Sequence, residues 1–400
     1  MLRLINRLLR FAGLEIKRRP RHGDGIHKGI AATLPPKGEC LGNALISYIP
    51  DDVLSADDDV SASHTHYWEC RQMATSFAEA GFAVDVVHFA DDHFVPEKPY
   101  DVLVSARTNL ERLAKHLSPE CLKIAHLDTA HFLTHNANAL QRLRRIRDRH
   151  GISLRSNRMV EDNWAIEVAD IGCVLGNSFT ADSYGFAGKP IHRIPLSSVR
   201  QFDWQDDKDF DACRAKFLWF GSGGFAHKGL DLVIDAFTEL PDLELLICGP
   251  TDQEPRFLKA FDRQMFHTSN IKTIGWIDVT GEEFTKLRRG TVATIYPSCS
   301  EGGGGSVITC MHAGMLPVVT REASVNIGDS GLILKSASVE AIREAVIAIS
   351  NMPAGKLRDR AKSAWQLARS NHTREKFAEH YDRFVADVIV PEVARRQSNA

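Results

Sequence analysis

Short apolar runs alternate with helical segments along nearly the whole chain, and this alternation limits the possible folds more than any other feature. Asn43–Pro50 reads as a buried strand, His64–Ala80 as a helix ended by Gly81, and Ala83–Phe89 as the next strand. Tyr100–Ser105, Lys123–Leu127 and Ile171–Leu175 continue the strand series. Strands separated by helices form parallel sheets, because each crossover helix returns the chain to start the next strand in the same direction. A Pro- and Asp-containing stretch, Ile194–Asp211, interrupts the pattern and is expected to link two domains. The pattern restarts with strand Lys216–Phe220, helix Leu230–Leu240 and strand Leu243–Cys248. Strands Ile271–Ile274, Val292–Tyr296 and Pro317–Thr320 and helix Val339–Ser350 follow. The expected fold is α/β, with two doubly wound domains facing a cleft and ligands at the carboxyl ends of the strands. The expected boundaries are an arm over 1–30, a first domain over 31–195 and a second over 196–375. A C-terminal helix over 376–400 follows, with a return to the first domain as one option.

An apolar share of 44% is enough to fill two such cores, which rules out a disordered chain. The cysteines at 40, 70, 121, 173, 213, 248, 299 and 310 are scattered, with no Cys-x-x-Cys. That usage fits reduced thiols in a cytoplasmic protein and neither a zinc site nor a disulfide framework. No apolar run approaches the roughly 20 residues that span a bilayer.

Charge is balanced overall but not along the chain. Lys and Arg number 49 against 51 Asp and Glu, yet the first 28 residues carry Arg3, Arg7, Arg10, Lys17, Arg18, Arg19, Arg21 and Lys28 against only Glu15 and Asp24. On a helical wheel Leu4, Ile5, Leu8, Leu9, Phe11, Ala12 and Ile16 share one half, and Arg3, Arg7, Arg10, Lys17 and Arg18 the other. This is the pattern of an amphipathic N-terminal helix lying in an anionic membrane surface through residues 1–19. Packing on its own domain and a targeting peptide are the alternatives. Arg7 and Arg10 interrupt any secretory core. No basic stripe with interleaved aromatics runs through the body, so nucleic acid is not an expected partner. The expected location is cytoplasmic and peripheral on the inner face of the membrane.

Two segments carry chemistry. In Phe217–Phe237 (FLWFGSGGFAHKGLDLVIDAF) a strand runs into a glycine turn, a Lys-Gly and an amphipathic helix. A P-loop is excluded, because Lys228 is followed by Gly229 rather than Ser or Thr. Gly221-x-Gly223-x-x-Ala226 matches a dinucleotide fingerprint loosely, but Glu244 begins the next strand rather than ending it. In Ile295–Gly314 (IYPSCSEGGGGSVITCMHAG) a strand ends at Pro297-Ser298, and Glu301 and four glycines precede a helix. Amides of Gly304, Gly305 and Ser306 at that helix N-terminus would form an anion site. Glu301 would point past it to a sugar hydroxyl. A glycine loop used only for tight packing is the alternative.

Together these segments resemble the retaining glycosyltransferases of the group-1, or family-4, type, with the GT-B fold of two Rossmann-like domains. Gly221, Lys228-Gly229-Leu230-Asp231, Cys248-Gly249, Gly275-Trp276, Pro297-Ser298, Glu301-Gly302 and Ala313-Gly314-x-x-Pro317-Val318-Val319 carry the likeness. It covers about 215–335 well and 64–89 loosely. The resemblance implies transfer of a sugar, with retention, from a nucleotide-diphosphate donor to a polysaccharide or lipid-linked acceptor, without metal or cofactor. It implies that Lys228 neutralises the diphosphate, that Glu301 faces the donor sugar, and that Gly275, Trp276 and Ile277 lie near the base. Gly221, Ser222, Gly223, Gly302, Gly303, Gly304, Gly305, Ser306 and Thr309 complete the implied donor site. It also implies a histidine at a strand end of the first domain, for which His131 is favoured over His126 as lying past the strand towards the cleft.

The chain departs from that family at three places. Thr309 stands where a second glutamate is usual, Ser222 where an arginine is usual, and Asp51–Ser63 where a glycine-rich loop is usual. A catalytically weak sugar-nucleotide-binding or scaffold protein, and a nicotinamide-dependent sugar-nucleotide enzyme, are the alternative functions. Asp209-Phe210-Asp211 in the linker, the acidic loop Asp57–Asp59 and His64-x-His66 are not expected to bind metal. The arginine-rich run Gln141–His150 reads as a solvated helix face, or as a contact for lipid head groups or an anionic acceptor.

Overall fold

A computed structural model describes residues 28–56 and 64–399. The amphipathic arm and Asp57–Asp59 lie outside the described residues. Two sheets organise the rest. The first holds β1 (Ile30–Leu34), β2 (Gly42–Tyr48), β3 (Phe82–His88), β4 (Val102–Ser105), β5 (Leu122–Leu127), β6 (Ile171–Val174) and β7 (Ile191–Arg193), in the order β1-β3-β2-β4-β5-β6-β7. The second holds β8 (Lys216–Phe220), β9 (Glu244–Cys248), β10 (Ile271–Gly275), β11 (Ala293–Tyr296), β12 (Leu316–Val319) and β13 (Leu332–Ile333), in the order β10-β9-β8-β11-β12-β13.

All pairings are parallel except β1 on β3. Central strands such as β4, β6, β11 and β12 are buried at every position, as expected of a sheet covered on both faces. In the second sheet the strand order reverses between β8 and β11, and in the first around β2 and β4. Loops leaving neighbouring strands at such a reversal splay to opposite faces and open a crevice at the carboxyl ends.

Three strands differ from the sequence expectation. Ile30–Leu34, at the expected boundary between the arm and the first domain, is an antiparallel edge strand with alternating exposure. β7 and β13 have three and two residues, too short for a period to show. Asp209 is a helix cap: its Oδ1 accepts from the amides of Asp211 and Ala212, both at 3.0 Å.

The arginine-rich run is not a solvated face either. It forms the second half of α2 (Phe132–His150), and its buried Arg142 donates to Pro297 O at 2.8 Å and pairs with Asp231 of α3 (Leu230–Thr238) at 3.4 Å. Arg149 pairs with Asp231 and Asp235, and His150 meets Asp235 at 2.9 Å. The charges the sequence assigned to solvent or lipid clasp the two domains. The outward Arg144 and Arg147 pair with Asp148 on α2 itself.

The chain end also crosses between domains. After α5 (Ala354–Asn371), α6 (Arg374–Phe384) lies on α1 (Thr65–Glu79), where Phe377 and Tyr381 meet Trp68 and Phe77 edge-on. Ser76 donates to Asp382 at 2.6 Å, and on α7 (Val390–Asn399) Arg396 pairs with Asp170 at 3.2 Å. Among the described residues no helix is long and apolar enough to cross a membrane.

Candidate active site

The second domain supplies the floor of a cleft of about 600 Å³ between the two sheets. β8 ends in the glycine turn 221–229, and β11 ends in Pro297-Ser298 and the Glu301 loop. These neighbouring strand ends bring Lys228 Nζ to 3.0 Å from Glu301 Oε1. The same Oε1 accepts from Ser298 Oγ at 2.7 Å and Tyr296 OH at 3.1 Å. Burial alone would raise the Glu301 carboxyl, but Lys228, His227, Arg158 and the Ser298 hydroxyl hold it well below the usual carboxylate range. Burial lowers the Lys228 ammonium despite the carboxylate beside it.

The tetraglycine serves two purposes. A Cβ on Gly302 would come within 2.0 Å of Asp128 O, so this glycine lets the second domain press its backbone against the end of β5. The Gly304 amide donates to Ala323 O at 3.1 Å. It is therefore unavailable to an anion, which corrects the expectation that it joins Gly305 and Ser306. Those two residues open α4 (Gly305–His312) and line the cleft, at the positive end of the helix. The packing and the anion-site readings each hold for part of the loop.

The first domain forms the opposite wall. His64 and His66 stand at the start of α1, their ring centroids 4.2 Å apart. His66 Nδ1 lies 2.9 Å from Glu69 Oε2, and Glu69 is fully buried and also accepts from the amide and hydroxyl of Ser197. Arg107, in the left-handed region at φ 56°, donates to both oxygens of Asp128, which lines the cleft. Such a φ costs a non-glycine residue about 1–3 kcal/mol and persists where surrounding contacts impose it.

Most expected donor-site residues converge. Gly221, Ser222, Gly223, Lys228, Trp276, Ile277, Glu301, Gly302, Gly303, Gly305, Ser306 and Thr309 all line the one cleft. Gly275 sits one residue behind it, its carbonyl accepting from the Gly249 amide at 2.9 Å. Trp276 is 68% exposed at the rim. Thr309 is nearly buried and donates its hydroxyl to Gly305 O at 2.9 Å.

His131 does not converge. It is the N-cap of α2, its ring enclosed by Phe132, Tyr184 and Phe186, and it does not line the cleft. Lying past the strand carried it away from the site. His126, inside β5, is the histidine beneath the first-domain wall, 4.5 Å from the Tyr48 ring. Neither of its ring nitrogens, nor Tyr48 OH, has a hydrogen-bond partner among the described residues. Buried polar atoms without partners are rare enough to require a reason.

Reading the sequence also missed Arg158, Asp128 and Tyr296. Glu69 was legible as the residue three positions after His66 on one helix face. Arg158 and Asp128 carry no local signal, because only folding brings them to the cleft. Among the described residues no group of His, Cys, Asp and Glu is arranged to hold a metal ion.

Residues 214–351 match the family model described as glycosyl transferases group 1. This stretch is similar to a group-1 glycosyl transferase domain. It contains the glycine turn, Lys228, Glu301 and the start of α4. No curated protein matches the chain by sequence. Among solved structures, sucrose-phosphate synthase from Thermosynechococcus elongatus aligns with a TM-score of 0.61 and 15% identity, over 87% of this chain and 99% of that one. The Anabaena protein HepE in complex with UDP-glucose aligns with a TM-score of 0.56 and 14% identity, over 87% and 100%. A UDP-forming trehalose-phosphate synthase from Burkholderia xenovorans aligns at 0.52 and 12%, over 74% and 75%. The described residues therefore have the GT-B fold, and the stretch that matches the group-1 model lies in the second domain.

Proposed function

We propose that the protein is a glycosyltransferase that moves a sugar from a nucleotide-diphosphate donor, with retention, to a polysaccharide or lipid-linked acceptor. The observation that carries this reading is the buried Lys228–Glu301 pair beside the N-terminus of α4, inside the stretch that matches the group-1 transferase model. Transfer requires the sugar–phosphate bond to break and the charge growing on the leaving diphosphate to be stabilised. Lys228 and the Gly305 and Ser306 amides would do this with no metal in the reading. Glu301, held by three donors, would meet the hydroxyls of the donor sugar. Trp276 at the rim offers an aromatic face to the base.

Behind the first-domain wall, His126 and Tyr48 hold unpartnered polar atoms, and the Tyr48 ring meets His66, which lines the cleft. In this reading they brace the wall that faces the transferred sugar or the acceptor, in place of the direct contact first given to His131. The structural relatives include proteins bound to UDP and UDP-glucose, which supports a nucleotide sugar as donor. The basic face of residues 1–19 would hold the enzyme on an anionic membrane, where a lipid-linked acceptor is at hand.

A binding or scaffold protein without catalysis is the second reading, favoured by Thr309 and Ser222 in place of charged residues. One experiment separates the two. Purified protein is screened against a panel of nucleotide-diphosphate sugars by thermal shift, and each stabilising donor is then tested for release of nucleoside diphosphate with glycan and lipid acceptors. Stabilisation with release supports the transferase, stabilisation alone the binding protein, and neither overturns both.

A further inference from the structure

Charge balance in the cleft points to a group that the second domain does not supply. A nucleoside diphosphate brings more than one net negative charge, and Lys228 alone does not offset it because Glu301 already neutralises Lys228. The acids lining the cleft are Asp128, Asp278 and Glu301. Asp128 is paired with Arg107, and Asp278 accepts from Thr280. One cation lining the cleft, Arg158, has no carboxylate within ion-pair distance among the described residues. It comes from the first domain, in the irregular segment after α2, yet its aliphatic stem lies over the second domain's glycine turn. A Cβ on Gly224, which sits at φ 93°, would come within 2.5 Å of Arg158 Cγ.

The segment carrying Arg158 is fixed at its backbone. His135 Nε2 lies 2.5 Å from Arg158 O, and the Ser156 hydroxyl accepts from the Arg158 amide at 3.0 Å. His135 stacks on His227 of the second domain at 4.7 Å, and His227 Nε2 meets Ser300 O at 2.5 Å. The two rings join the Arg158 backbone to the loop that carries Glu301. Burial keeps both imidazoles below their ordinary pKa, so they stack as neutral rings. The guanidinium field reaches Glu301, Lys228 and Tyr296, consistent with a side chain directed into the cleft.

We propose that Arg158 is a diphosphate-binding residue, the second cation of the donor site, delivered across the interdomain cleft to face Ser222 and Lys228. This rests on the nucleotide-diphosphate reading of the same cleft. A guanidinium presents two parallel donors to phosphate oxygens, a geometry that suits two linked phosphates better than one ammonium does. Because the cation belongs to the other domain, the diphosphate would bind both halves at once.

Calorimetry with UDP, ADP and GDP, and with the matching monophosphate of whichever binds, tests the proposal on the full chain. Arg158→Ala should weaken diphosphate binding by about 10- to 100-fold, the range of charge-assisted hydrogen bonds. Monophosphate affinity should change much less, and the melting temperature should stay at the parent value. Arg158→Lys should keep part of the affinity, and Ser222→Arg added to Arg158→Ala should restore it. If Arg158→Ala binds diphosphate like the parent while Lys228→Ala does not, Arg158 is not part of the site and the donor reading stands. A parent that binds none of the three diphosphates overturns both.

Discussion

Lys228 and Glu301, brought within 3.0 Å by the ends of β8 and β11, form a buried ion pair at the centre of the cleft. A diphosphate that engages Lys228 must share it with this carboxylate, so the two residues should respond differently to substitution. Lys228→Ala should weaken nucleoside-diphosphate binding by about tenfold or more and lower turnover with it. Glu301→Gln should lower turnover while diphosphate affinity holds or rises, because Lys228 then has no competing anion. Breaking a buried pair costs about 3–5 kcal/mol, so Glu301→Gln should also melt earlier, and diphosphate should recover more of its stability than it adds to the parent. Calorimetry, turnover and melting curves on the three proteins check this. Loss of diphosphate affinity in Glu301→Gln would place the carboxylate in the wrong role.

Thr309 lies on the cleft one turn into α4, with its hydroxyl donated to Gly305 O. Its oxygen offers one neutral contact where a carboxylate would offer charged ones. Thr309→Glu should therefore tighten diphosphate binding by something like tenfold and fold normally. A variant that is destabilised and binds no better would show that this side of the helix belongs to the core, away from ribose.

Several buried histidines should make stability fall in mild acid. Burial pushes His126 and His312 down to about 4 and His227 to about 3. In the unfolded chain each titrates near 6.5, so between that pH and the folded values the unfolded state binds more protons. Stability contributed by the neutral rings is thus complete above about pH 6.5 and is lost as pH falls towards 4, at up to ~1.4 kcal/mol per pH unit per group. His126→Phe removes one such proton, and no hydrogen bond is lost since neither ring nitrogen has a partner. Its denaturation midpoint should depend less on pH between 7 and 5 than the parent's. Turnover should drop if His126 serves the sugar, and an unchanged rate would remove it from the mechanism.

The clasp on α2 predicts coupling between domain docking and the site. Arg142 is nearly buried, and Pro297 O, which it bonds, lies four residues before Glu301. Arg142→Ala leaves Asp231 with Arg149 alone and a buried carbonyl without its donor. It should cost about 3 kcal/mol in chemical denaturation and weaken donor binding although Arg142 touches no substrate. Wild-type donor affinity in a destabilised Arg142→Ala would confine the clasp to a structural role.

Deletion of residues 1–19 tests the arm. Each basic residue near an anionic surface contributes about 1 kcal/mol, so the full chain should pellet with vesicles containing phosphatidylserine and the truncated chain should not. Both should melt at the same temperature. Equal pelleting at low and high salt would dismiss the arm as the membrane contact.

The alternation of strands and helices in two α/β halves, and the glycine turn with Lys228 and Glu301, were legible in the sequence alone. These are local signals: apolar runs of strand length, glycines at strand ends, and a helix following at once. The tertiary structure decided what depends on residues far apart in the chain. β1 pairs at an edge, where half-exposed alternation gives a weak pattern. The arginines of α2 are clasps rather than a solvated face because Asp231 and Asp235, more than eighty residues later, stand opposite them. Gly302 owes its identity to the backbone at Asp128, and His131 is kept from the cleft because the turn after β5 rotates it into an aromatic pocket. A side chain's direction at a strand end depends on one backbone turn, and its charge on the partners that packing places beside it. Local composition encodes neither.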